Sequence, residues 1–86
     1  MKVNKFISWA KDGEETILIN TQNQKCIILD ATGHEIWESF ITTQSIEETI
    51  KSLKSKYIAS DTEMIERDIN ELRDLLLENQ MIEEET

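Results

Sequence analysis

Short apolar, strand-forming stretches separated by polar turns occupy the first third of the chain, and apolar residues fall into helical spacing afterwards, with the change at Asp30. Val3, Lys5, Ile7 and Trp9 alternate with Asn4, Phe6 and Ser8, which predicts a first strand with at least one apolar face. Lys11-Asp12-Gly13-Glu14 then reads as a turn, since Asp12 and Gly13 both tolerate the positive φ of a tight hairpin. Residues 16–20 (TILIN) supply a second strand, residues 21–24 a polar connection and residues 25–29 a third strand. Short loops between successive strands imply an antiparallel meander in which the first and third strands are edges.

From Asp30 the period is helical. Asp30 is placed as an N-cap, and Ile36, Trp37 and Phe40 share one face of a first helix over residues 31–40, ended by Thr42-Thr43-Gln44. Ser45 and Glu48 form a capping box for a second helix, whose apolar stripe is Ile46, Ile50, Leu53 and Tyr57. Ser60 and Glu63 repeat the box ahead of a third helix over residues 62–79. Its stripe is Ile65, Ile69, Leu72 and Leu76, flanked by Met64, Leu75 and Leu77. The predicted fold is α+β: a three-stranded antiparallel meander followed by three helices that cover one sheet face, with winged helix-turn-helix proportions. Residues 1–82 make a single domain and residues 83–86 an acidic frayed tail, with Met81 and Ile82 free to pack back onto the sheet.

Composition then narrows the function. The chain of 86 residues has no proline and only Gly13 and Gly33 as glycines, so it shows neither a linker nor a low-complexity segment. No apolar run is long enough for a signal peptide or a membrane span, which leads us to expect a cytoplasmic protein. Cys26 and His34 are the sole cysteine and histidine, so no intramolecular disulfide or cysteine-based zinc site is available, and no nucleophile and base can be paired. We expect no catalytic residue, no metal and no cofactor, with Cys26 a buried or edge-strand thiol and His34 on the surface. The net charge is −9; residues 1–30 balance four lysines against four acids, so the whole excess lies in residues 31–86. A winged-helix DNA-binding or regulatory domain, the reading from another class, needs a basic recognition helix. The third helix sets only Arg67 and Arg73 against many acids.

In order along the chain, Leu29-Asp30, Gly33, Ile36-Trp37, the S-I-E-E-T-I run of residues 45–50 and the leucine-rich residues 72–82 resemble the PqqD-like proteins, or precursor-peptide recognition elements. The likeness spans almost the whole chain. One departure is Ile41-Thr42-Thr43, where members often carry an Asp-Gly turn. The resemblance implies a non-catalytic adaptor that binds the leader segment of a ribosomally made, post-translationally modified peptide. The leader would add as an antiparallel strand to the third strand, its side chains settling between that strand and the third helix. The free-standing size is similar to leader-binding proteins of lasso-peptide clusters, whose partner is a cysteine peptidase that removes the leader. A PqqD-type peptide chaperone for a radical SAM enzyme is the alternative within the family.

On this reading the candidate leader contacts are Gln24, Lys25, Cys26, Ile27 and Ile28 of the third strand, and Ile65, Asp68, Ile69 and Leu72 of the third helix. Sequence leaves open whether Lys25, Ile27 and Leu29 or Cys26 and Ile28 face the helix, and core packing competes for the same apolar residues. Glu66, Asp68 and Glu71 could meet basic leader residues, Asp68 being the one retained as a contact. A proline at Ile27 or Ile28 is expected to remove binding.

Overall fold

In the computed structural model, residues 2–56 and 62–84 are described; Tyr57 and Ser60, assigned above to a stripe and a cap, lie outside the described residues. The elements are β1 (Lys2–Val3), β2 (Ile7–Asp12), β3 (Glu15–Asn20), β4 (Cys26–Leu29), α1 (Ala31–Thr43), α2 (Ile46–Lys56), α3 (Thr62–Glu78) and β5 (Ile82–Glu83). β2, β3 and β4 form the antiparallel meander, with β3 central, and three helices follow it, the expected α+β order.

Asn4 divides the first apolar run, which is not one strand. Its side-chain Oδ1 accepts from the Phe6 N–H at 2.9 Å, a short Asx-type turn that competes with extended backbone. β1 therefore leaves the meander and pairs with β5, Val3 opposite Ile82. The hairpin turn also shifts by one residue from its predicted place. Asp12 pairs with Glu15 and Gly13 takes the positive φ, +64°, as the first central residue of a two-residue turn.

One sheet face is buried: Thr16, Leu18 and Asn20 of β3 and Ile27 and Leu29 of β4 point inward, while Ile19, Cys26 and Ile28 point out. Leu18, Ile27, Leu29, Trp37, Phe40, Leu76, Met81 and Ile82 make the main core, and Ile36, Leu53 and Ile69 a second cluster under the helices. Each such side chain contributes about 1.5–3 kcal/mol of burial, so the long α3 stripe is what closes the domain. Trp37 is fully buried, stacked on Phe40 at 6.3 Å and edge-on to Trp9 at 6.3 Å.

Asp30 caps α1 as expected, its Oδ1 accepting from the Gly33 N–H at 2.8 Å. α1 runs a turn beyond the predicted end and stops at Gln44, which adopts the left-handed conformation at φ 53° and donates its N–H to the Phe40 carbonyl. His34, expected at the surface, is buried instead. Its Nδ1 lies 2.6 Å from the Thr16 hydroxyl and its Nε2 2.9 Å from the Glu38 carboxylate, so the sheet and the next helical turn satisfy both ring nitrogens.

The C-terminus ties sheet to helix. Gln80 takes φ 60°, the Met81 N–H bonds the Leu76 carbonyl at 2.8 Å and the Gln80 N–H the Leu77 carbonyl at 3.1 Å, a Schellman ending of α3. The Gln80 carbonyl then accepts from Asn4 Nδ2 at 3.1 Å and from Asn20 Nδ2 at 2.9 Å. Met81 and Ile82 are buried behind it, as anticipated, and the chain stays in strand through Glu83.

Candidate functional site

Hydrogen-bond phase decides which backbone groups of β4 are free. The Asn20 N–H donates to the Lys25 carbonyl at 2.9 Å, so Lys25 begins the series whose main-chain groups point at β3. In an antiparallel ladder that direction alternates. Ile27 and Leu29, opposite Leu18 and Thr16, therefore also bond inward, whereas Cys26 and Ile28 direct their N–H and C=O groups to the open edge. The edge thus offers two donors and two acceptors.

Beside that edge lies a groove of about 410 Å³ between the end of β4, the first turn of α1 and the middle of α3. Leu29, Ile36 and Leu72 supply apolar walls, and Asp30, Asp68 and Glu71 supply carboxylates. Gly33 lets α1 start close to the strand: a Cβ there would stand 3.1 Å from Leu29 Cβ and 3.3 Å from Asp30 Oδ1. Asp68, Glu71 and Leu72 lie within one turn of α3, so all three project toward the same side. Among the described residues no lysine or arginine stands within 4 Å of the Asp68 or Glu71 carboxylate; Lys54 meets Glu66 at 3.1 Å and Arg73 meets Asp74 at 3.0 Å, while Arg67 lines the adjoining surface of α3 with Glu71.

Of the residues weighed in the sequence for leader contact, the groove brings together Ile28, Leu29, Asp68, Glu71 and Leu72. Ile27 and Ile69 are instead in the core, at 7% and 0% exposure, because the inward face of β4 carries odd-numbered residues and α3 is deepest at its centre. Ile65 packs half-buried on the second core cluster. Gln24, at φ 64°, and Lys25 form the turn into β4, held by the Asn23 side chain, and Cys26 is exposed on the outer sheet face. Sequence reasoning missed Thr32, Gly33, Ile36 and Asp30 as groove residues. The available signal was the one helical glycine, placed three residues after a capping aspartate.

The family model for coenzyme PQQ synthesis protein D (PqqD) matches residues 15–82, from β3 through β5. The chain belongs to the PqqD family. No curated protein matches it. Two solved structures share the fold of this PqqD-family chain. One is described as TbiB1 in complex with the TbiA(beta) leader peptide, with a TM-score of 0.85, 24% identity and coverage of 100% of this chain and 99% of that one. The other is a lasso peptide synthetase B1 complexed with the leader peptide, with a TM-score of 0.79, 24% identity and 96% of each chain covered. Among the described residues no helix is long and apolar enough to cross a membrane, and no cluster of three His, Cys, Asp or Glu side chains is placed to hold a metal.

Proposed function

We propose that this PqqD-family protein is a non-catalytic adaptor that binds the leader segment of a ribosomally synthesised precursor peptide as an added antiparallel strand on β4. It then presents the peptide to a leader peptidase or another tailoring enzyme, in the cytoplasm, where Cys26 stays a thiol. The observation that carries this reading is the open edge at Cys26 and Ile28 running beside the groove to α3, on a fold shared with two chains solved with leader peptides. Strand addition is a recurrent recognition mode because an edge has unpaired main-chain groups at the right spacing.

The energetics require more than backbone pairing. Each backbone bond contributes about 0.5–1.5 kcal/mol net, and ordering each peptide residue costs about 1–2 kcal/mol. Bonds from only Cys26 and Ile28 leave a bare strand at break-even or worse. Side chains of the added strand opposite Ile27 and Leu29 fall on the helix side, and one or two apolar anchors against Ile36 and Leu72 supply about 1.5–3 kcal/mol each. The alternative of a DNA-binding domain has the wrong charge, −9 overall with acids crowding α3.

The test is fluorescence anisotropy of a labelled leader peptide, from the precursor encoded beside this gene, titrated with the protein at moderate salt. Saturable binding in the micromolar range or tighter, lost when the leader's apolar anchors become alanine, is the expected result. A folded protein that binds no leader overturns the proposal.

A further inference from the structure

The groove's two sides differ in chemistry, and the difference specifies its occupant. Its apolar wall is Leu29, Ile36 and Leu72; its rim on α3 is Asp68, half-buried, and Glu71, exposed, one turn apart and without a cationic partner among the described residues. On the same helix Glu66 meets Lys54 and Asp74 meets Arg73, whereas Glu63 and Glu78 are exposed and, among the described residues, have no cation within 4 Å; Asp68 differs from them in being half-buried against the apolar wall. A purely apolar side chain entering the groove would strip water from Asp68 and give nothing back, a cost that an incoming cation removes. A lysine or arginine suits both surfaces, its methylene stem lying on Leu72 and Ile36 and its charged head reaching the carboxylates.

We infer that the site selects a peptide segment with a lysine or arginine on the groove-facing side of the added strand, in register with Asp68 and Glu71. This deepens the proposed function and rests on it. The register has a consequence for the ligand's sequence. Groove-facing residues alternate along a strand, so the basic residue stands an even number of positions, two or four, from any apolar anchor on the same face. The groove lies at the Leu29 end of β4, and an antiparallel segment has its N-terminal half there. The cation therefore belongs to the N-terminal half of the paired segment.

The experiment is selection of a displayed library of random twelve-residue peptides on the full chain at about 0.15 M salt, where long-range attraction to the net negative surface is screened beyond about 8 Å. The same library is selected on Asp68→Asn/Glu71→Gln, and on Glu63→Gln/Asp74→Asn, which removes equal charge outside the groove. Circular dichroism checks that all three are folded. The expected result is lysine or arginine enriched at a fixed even spacing from an apolar residue with the wild type and the outside variant, but not with the groove variant, whose binders keep the apolar residue. Individual wild-type-selected peptides should bind the groove variant about 3- to 10-fold more weakly, the effect of a partly exposed ion pair. Apolar enrichment with no positioned cation, or the same cation preference in the groove variant, overturns this inference and leaves the adaptor reading standing. Failure to select any binder overturns both.

Discussion

Proline scanning of β4 separates strand addition from every other use of this surface, because adjacent residues point their N–H groups in opposite directions. Ile28 directs its N–H to the open edge and its side chain is 61% exposed, so Ile28→Pro leaves the β3–β4 ladder intact. Edge strands tolerate proline at such a position, and the loss of a mostly exposed side chain costs the fold about 1 kcal/mol. Binding suffers more. The peptide loses one bond of about 0.5–1.5 kcal/mol and keeps an unpaired carbonyl that costs about 1–3 kcal/mol, which together weaken Kd by about one to three orders of magnitude. Ile27→Pro differs: it removes the inward N–H opposite Leu18 and a side chain only 7% exposed. That loss of about 3 kcal/mol or more, with the cavity it leaves, approaches the whole stability of a small domain. Anisotropy with a labelled leader gives the affinity, and urea unfolding gives the stability; Ile28→Thr, which restores the N–H, should bind within about threefold of wild type. Sequence alone predicts that proline at either residue removes binding; the ladder separates a binding defect at Ile28 from a folding defect at Ile27. A folded Ile28→Pro protein with wild-type affinity would refute docking on this edge.

Three further outcomes follow from the packing. Truncation after Gln80 removes Met81 and Ile82, both at 2% exposure or less; the loss of about 3–6 kcal/mol of burial should abolish a cooperative thermal transition by circular dichroism. Asn20→Ala leaves the Gln22 and Asn23 N–H groups without their acceptor and the Gln80 carbonyl with Asn4 as its remaining side-chain donor, so urea unfolding should report about 1–3 kcal/mol less stability. Gln44→Gly relieves a left-handed residue at φ 53° and should raise stability by about 0.5–1 kcal/mol in the same assay; a decrease would contradict the cap assigned there.

Most elements were legible because each is set by local chemistry. The short strand-forming runs at residues 16–20 and 25–29, the Asp30 cap and the 65-69-72-76 stripe of α3 all reappear as β3, β4, α1 and α3. What was missed depends on partners distant in the chain. The Asn4 turn makes sense only with β5 available to pair β1, and His34 reads as a surface residue until Thr16, 18 positions earlier, arrives beside it. The same holds for the site. Leu72 was legible as a groove wall from the α3 stripe, and Asp68 stands one helical turn before it, but the facing of β4 is fixed by its ladder to β3 and by which sheet side the helices cover. Until that is known, Ile27 and Ile28 are interchangeable; afterwards one is core and the other edge.

The most direct test is residue-resolved amide hydrogen exchange by NMR on β4, with and without saturating leader peptide. Strand addition slows exchange at Cys26 and Ile28, whose N–H groups face the open edge, and leaves Ile27 and Leu29, already bonded to β3, close to their free-state protection. Protection confined to other elements, with Cys26 and Ile28 exchanging as in the free protein, would contradict docking on β4 even if the peptide binds.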